Sequence, residues 1–353
     1  MSATGPALPS RYRGSILVWA LLIAYASLYP FFPLRPPSID AVTAFFVKPR
    51  YMVAYDVVWN VVAYIPLGTL AALYYRQRKP PGRALVHAVA FAAAFSLAME
   101  ILQFFVPNRV ASIFDVLANA AGALLGAAVF VDPVYSVATK PLGEVRERTL
   151  IPGAWGDAGL VLLILWLIAQ LNPALPFFGA GNIVGSDAGL IEMAILQWGA
   201  VALSLCGFGL FVSTLVRGNQ GALRATLVLL SVALWLKFLG ASLVLQPHFS
   251  DEWVSGGRAA GLAVGLLAFV PLRRLARAGR VYLALVMILA GALFSKIFGA
   301  YSTLEEFLRL FRWPHGQLAS FATLTRFLHE LWPFAALVFL IALFLRERRD
   351  PMP

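Results

Sequence analysis

Apolar stretches about as long as a bilayer is thick recur from residue 14 to residue 345, and nothing else constrains this chain as strongly. They cover 14–32, 56–75, 83–106, 114–131, 157–178, 190–216, 222–245, 257–272, 281–301 and 331–345, with the eighth and tenth short. A helix of about 20 apolar residues spans the hydrocarbon core, where every backbone N–H and C=O must be satisfied within the protein. The expected fold is therefore all-α, a polytopic transmembrane helix bundle of about ten spans. Composition agrees, with 60% hydrophobic residues, 13% charged residues and a mean hydropathy of +0.79.

The basic residues give the bundle an expected orientation. Arg76, Arg78, Lys79 and Arg83 follow the second stretch, Arg273, Arg274, Arg277 and Arg280 lie between the eighth and ninth, and Arg346, Arg348 and Arg349 follow the last. Short loops rich in Lys and Arg stay in the cytoplasm, which places both termini there. The same clustering accounts for the net charge of +11 without nucleic acid as a partner. Segment 11–32 has a basic start, but its apolar run is longer than a signal-peptide core and lacks a small-residue cleavage site, so it reads as a retained first helix. The one cysteine, Cys206, lies in an apolar stretch and permits no intramolecular disulfide.

Three regions follow. Residues 1–131 form a four-helix membrane module, 132–156 a cytoplasmic linker with Pro133, Pro141 and Pro152 among mixed charges, and 157–353 a six-helix membrane bundle. Between residues 301 and 330 the chain is too polar to span, yet Leu304, Phe307, Leu308 and Phe311, then Phe321, Leu324, Phe327, Leu328 and Leu331, recur at helical spacing. They predict two interfacial helices on the outer face, separated by a turn at Pro314 and Gly316. Gly122 and Gly126 form a Gly-x-x-x-Gly pair suited to close helix packing, and Pro66 with Gly68 interrupts the second stretch.

Polar residues inside the first module carry the functional signal, because a charged or amide group in a bilayer is costly unless it faces a partner, a cavity or water. Asp56 and Asn60, Glu100 and Gln103, and Asp115 and Asn119 are spaced by three or four, so each pair shares one helix face. The second and fourth stretches begin, and the third ends, on the same side of the membrane. All three pairs therefore fall at one depth, near the outer face, with Arg109 and Ser112 in the short loop above them. The two Asp-x-x-x-Asn signatures also share an offset of 59 residues, as a parallel duplication of helical hairpins would give.

This arrangement resembles the VanZ-like family of bacterial membrane proteins. The matching elements are Asp56-Val-Val-Trp-Asn60, Pro66-Leu-Gly68, Glu100-Ile-Leu-Gln103, Arg109-Val-Ala-Ser112 and Asp115-Val-Leu-Ala-Asn119-Ala-Ala-Gly122, and the resemblance covers about residues 20 to 131. It implies a four-helix envelope module in the bacterial cytoplasmic (inner) membrane, associated through the founding member with low-level resistance to the glycopeptide teicoplanin. The six further helices depart from that pattern.

The residues themselves admit three chemistries. In the first, an envelope lipid or glycan is recognised or modified at the outer leaflet. Arg109 grips an anionic group, Glu100 or Asp115 accepts a proton or ligates a metal, and Asp56, Asn60, Gln103, Ser112 and Asn119 bind or orient the ligand. In the second, the carboxylates relay protons in a transporter. In the third the cluster is structural, with Asp115 paired to Arg109 and the amides fixing helix register in a non-catalytic scaffold. Three carboxylates against one arginine would also suit a divalent cation held by oxygen ligands, whereas the lack of His and Cys argues against zinc. Ser112 has no His beside it to activate it as a nucleophile. His87 reads as a packing or interfacial residue near the inner end of the third stretch. Lys237 and Lys296 are expected to snorkel or pair structurally, as are Asp187 and Glu192. His248, Asp251, Glu252, His315 and His329 fit no metal spacing, and Trp253, Trp313 and Trp332 read as interfacial anchors.

Overall fold

The computed structural model describes residues 12–47, 54–106, 109–129, 140–178, 182–183, 190–245, 256–300, 304–311 and 317–349. The chain divides into two compact units, one of residues 1–145 with 315–324, the other of 146–314 with 325–353. Among the described residues, seven helices are long and apolar enough to cross a membrane, and three apolar ones are shorter, Arg13–Leu28, Ile113–Ala128 and Ala259–Leu272.

The first unit contains α1 (Arg13–Leu28), α2 (Ile39–Ala44), α3 (Ala54–Arg76), α4 (Pro81–Gln103) and α5 (Ile113–Ala128). Local chemistry sets several of the starts. Ser38 caps α2 by accepting from the Ala41 N–H, Pro81 opens α4 where a missing N–H costs nothing, and Ser112 caps α5 by accepting from the Phe114 N–H. Pro66 lies inside α3, which continues through it.

Glycine brings α3 and α5 together. A Cβ on Gly122 would lie 2.1 Å from the Val61 carbonyl oxygen, one on Gly126 2.0 Å from that of Ile65, and one on Gly68 2.2 Å from that of Ala123. The two helices therefore touch backbone to backbone, and they run parallel, since a step of four on α5 matches a step of four on α3. The Thr69 hydroxyl adds a hydrogen bond to the Gly126 carbonyl at 3.0 Å. Helix α1 joins through Trp19, whose indole N–H donates to the Ala63 carbonyl at 2.9 Å.

The second unit contains the end of α6 (Lys140–Thr149), from Arg146 onward, then α7 (Gly153–Gln170), α8 (Leu190–Leu215), α9 (Asn219–Val244), α10 (Gly256–Leu272), α11 (Arg277–Phe298), α12 (Leu304–Leu308) and most of α13 (Gln317–Arg349). Two short strands, β1 (Asn182–Ile183) and β2 (Gly299–Ala300), pair antiparallel. Helix α8 is the axis of this unit: 72% of its spanning window is buried, against 17–33% in the other six spans. Small residues let its neighbours approach, Gly261 and Gly265 of α10 meeting the Trp198 and Ala202 carbonyls, and Gly207 meeting Ile288 of α11. Aromatic rings fill the rest. Trp166 stacks on Phe208 with centroids 4.1 Å apart, and Phe178, Phe211, Trp332 and Phe339 extend the cluster.

Three expectations are refined. The stretch expected as a linker carries α6, and its end is tied into the second unit where Ile151 N–H donates to the Leu215 carbonyl and Arg217 N–H to that of Thr149, with an ion pair between Arg146 and Asp157. The second expected interfacial helix does not exist as a separate element, because its stripe belongs to the 33-residue α13, continuous with the last span. The apolar stripe keeps helical phase from Phe321 into the span, and α13 runs on through Pro333, its one internal breaker. The expected turn at Pro314 and Gly316 and the interfacial Trp253 and Trp313 lie outside the described residues. Trp332 is no interfacial anchor: it is buried, and its N–H donates to the Leu162 carbonyl at 2.8 Å.

Candidate functional site at the polar end of the first unit

Helices α3 and α5 begin where α4 ends, so Asn60, Glu100, Gln103, Ser112, Asp115 and Asn119 gather at one end of the unit. Glu100, only 3% exposed, sits one turn before the end of α4. Its Oε2 accepts from the Ser112 N–H at 2.8 Å. The residue that caps α5 with its hydroxyl thus fixes the carboxylate with its amide, a charge-assisted bond from a helix N-terminus. Asp115, one turn into α5, adds negative charge that Glu100 feels, and Arg109 supplies the opposing charge.

A second layer lies one turn deeper. The Asn119 amide Nδ2 donates to the Ser96 hydroxyl at 2.8 Å, and Ser96 stands one turn before Glu100 on the same face of α4. Tyr64 of α3, one turn beyond Asn60, lies beside the same Ser96 side chain. Asn60, Tyr64, Ser96 and Asn119 are all buried. Two amide atoms in this layer have no partner among the described residues, Nδ2 of Asn60 and Oδ1 of Asn119. A buried polar atom left unpaired costs roughly 1–3 kcal/mol, so this pair of orphans calls for a water or a ligand.

Arg109 serves the chain itself. Its guanidinium donates to the Ala26 carbonyl at 2.9 Å, to the Tyr29 carbonyl at 2.9 and 3.3 Å, and to the Ser320 hydroxyl. Ala26 and Tyr29 close α1, so the cation satisfies carbonyls that the helix end leaves open. Burial draws Arg109 below the usual arginine range, and Glu100 acts in the opposite sense. Gln103 works alongside it, its Nε2 donating to the Ser27 carbonyl at 3.2 Å. Both side chains therefore hold α1 over the end of α4.

The first third of the chain, which holds this site, is similar to a known family. Residues 15–135 match the family described as VanZ/LLP1. No curated protein and no solved structure matches the chain. The VanZ-like region contains every site residue named from the sequence, together with Tyr64 and Ser96, which spacing did not single out. Their signal was present only in phase, Tyr64 four residues after Asn60 and Ser96 four before Glu100. Ser320 had none, lying 211 residues from Arg109. The Asp56 side chain lies outside the described residues, although its backbone belongs to the first turn of α3. Among the described residues no group of three His, Cys, Asp or Glu side chains is placed to hold a metal ion.

Outside the VanZ-like region the polar residues take structural positions. Lys237 does not snorkel: it is fully buried in α9, donates to the Leu175 carbonyl at 2.8 Å and the Asn172 carbonyl at 3.2 Å, and lies 5.9 Å from the Phe177 ring centroid. Those carbonyls follow the end of α7, and the close approach of Gly240 to the Leu171 carbonyl brings the lysine within reach. His87 is fixed near the start of α4 between the Arg83 carbonyl, 2.7 Å from Nδ1, and the Lys79 ammonium, 2.6 Å from Nε2. Since Lys only donates, Nε2 accepts and Nδ1 carries the proton. The side chains of Lys296, Asp187 and Glu192, and residues His248, Asp251, Glu252 and His315, lie outside the described residues.

Proposed function

We propose that the VanZ-like region recognises a lipid or glycan of the bacterial envelope at the outer leaflet, with Glu100 as the acceptor of a ligand proton. The observation that supports this reading is the state of Glu100. One carboxylate oxygen is fixed by the Ser112 amide, and the side chain is almost wholly withdrawn from solvent. A carboxylate has roughly four acceptor positions, so one held by this bond keeps capacity to accept from a ligand. Asp115, Asn60 and Asn119 line the same end, while Arg109, Gln103 and Ser112 hold α1 and α5 in place around it.

In this reading ten helices cross the cytoplasmic membrane, counting the three shorter apolar ones. Both termini are cytoplasmic because the basic loops between helices favour that side. A link to glycopeptide resistance follows from the family resemblance. Glu100→Gln keeps the shape of the side chain and removes its capacity to take a proton. With the full chain in a host lacking its own copy, the variant is expected to reach the membrane at wild-type abundance and to lose any effect on teicoplanin susceptibility. Loss of the protein from the membrane would mean that the carboxylate serves the fold. Proton flux into vesicles that carry the wild-type chain, abolished by Glu100→Gln, would instead favour transport.

A further inference from the structure

The ligand class of this site can be read one layer below Glu100. Asn60 is 9% exposed and Asn119 4%, and each has one amide atom without a partner, a donor on Asn60 and an acceptor on Asn119. Asn119 donates to the Ser96 hydroxyl, and Tyr64, one turn along α3 from Asn60, lies beside the same side chain. The backbone contact of Val61 with Gly122 sets the two asparagine-bearing faces against each other. A single hydroxyl group matches this pair, since its oxygen accepts from Asn60 and its proton goes to Asn119.

Charge narrows the class further. A phosphate or carboxylate ligand would need a cation, and the Nε and Nη2 groups of the nearby Arg109 are engaged with two α1 carbonyls and Ser320. Glu100 and Asp115 would repel an anion at this end. Resting on the reading of the site given above, we propose that the Asn60 and Asn119 amides bind a hydroxyl of a neutral sugar, carried by a membrane glycolipid or by a free saccharide. Glu100 accepts from a second hydroxyl of the same ring.

The test is a titration of the purified full chain in detergent, followed by native mass spectrometry. The probes are monoglucosyl diacylglycerol, phosphatidic acid with the same acyl chains, and glucose. The glycolipid is expected to bind at least about tenfold more tightly than phosphatidic acid. The double variant Asn60→Leu/Asn119→Leu is expected to lose roughly tenfold in glycolipid affinity, the worth of two modest hydrogen bonds. Its unliganded thermal midpoint is expected to change little, because two orphaned amide atoms are removed together with the bond from Asn119 to Ser96. Glucose that competes with the glycolipid at comparable concentration supports the hydroxyl chemistry and assigns its source to the free sugar. Phosphatidic acid binding as tightly as the glycolipid overturns the proposal, as does a double variant that binds the glycolipid like wild type, which would leave the amides to water. A double variant that unfolds without ligand also overturns it, by making the amides structural. Failure here leaves the Glu100 phenotype as a separate question, and the failure of that phenotype with glycolipid binding intact would sink only the resistance link.

Discussion

Each unit of this protein buries a cation at the end of a helix, and the two burials have different surroundings. Arg109 closes α1 through the Ala26 and Tyr29 carbonyls, and Lys237 closes α7 through those of Asn172 and Leu175. Around Lys237 lies an aromatic ring, Phe177, that packs into the core of Trp166, Phe178 and Phe208. Around Arg109 lie a carboxylate, amides and hydroxyls. The difference begins with how the helices meet. In the first unit Gly68, Gly122 and Gly126 let α3 and α5 touch through backbone, so few bulky side chains stand between their polar faces. In the second unit glycines also bring helices close, at Gly261 and Gly265 of α10, but the groups packed beside Lys237 are aromatic rings. A buried charge at a helix end is thus ordinary architecture in both units, and what sets the first apart is the uncommitted polar layer beneath it.

The largest expected effect tests the backbone contact. Gly126→Val places a branched side chain where Ile65 carbonyl lies 2.0 Å from an added Cβ, and neither helix can yield without separating. A loss of about 4 kcal/mol or more is expected, seen as disappearance of the protein from the membrane fraction. Gly82→Ala, where an added Cβ meets nothing within 4 Å, is the control and is expected to accumulate normally. In the second unit Phe208→Ala removes a ring stacked on Trp166 and is expected to cost about 3–5 kcal/mol, lowering the thermal midpoint in detergent. If Gly126→Val proved the milder of the two, the contrast between backbone and aromatic packing would fail.

Next come the two cations. Arg109→Met leaves two carbonyls and a hydroxyl unserved and removes the countercharge to Glu100, for a cost of about 3 kcal/mol, at about 1 kcal/mol per acceptor. Lys237→Met leaves the Leu175 and Asn172 carbonyls, for about 2 kcal/mol from these two bonds on the same scale. Ser320→Ala, which spares the carbonyl bonds, is expected to cost only about 1 kcal/mol. Chemical denaturation of the purified variants ranks the three, and a larger loss for Lys237→Met than for Arg109→Met would break the comparison.

The helical bundle was legible in the apolar runs, because bilayer thickness leaves few alternatives to a helix of that length. The site was legible wherever two polar residues shared a face, as at Glu100 and Gln103 or Asp115 and Asn119. It was illegible where a single residue depended on a distant partner. Tyr64 and Ser96 look like any Tyr or Ser in an apolar helix until α3, α4 and α5 are assembled. Ser320 reaches Arg109 only because the first turns of α13 cluster with the first unit, a return that local periodicity does not encode. Lys237 misled for the same reason. Its place near a helix end suggested snorkelling, and the carbonyls after α7 that hold it inside come from a segment more than sixty residues earlier.

Orientation bears most directly on the central claim, because a site for envelope lipid or glycan must open on the outer face. Val110, in the loop between α4 and α5, is 73% exposed and adjoins Arg109, and the native thiol of Cys206 is buried. Val110→Cys in a Cys206→Ala background gives a single reporter at the polar end. A membrane-impermeant maleimide added to intact spheroplasts is expected to label it fully. Labelling only after the membrane is permeabilised would put the polar cluster on the cytoplasmic side and contradict the account.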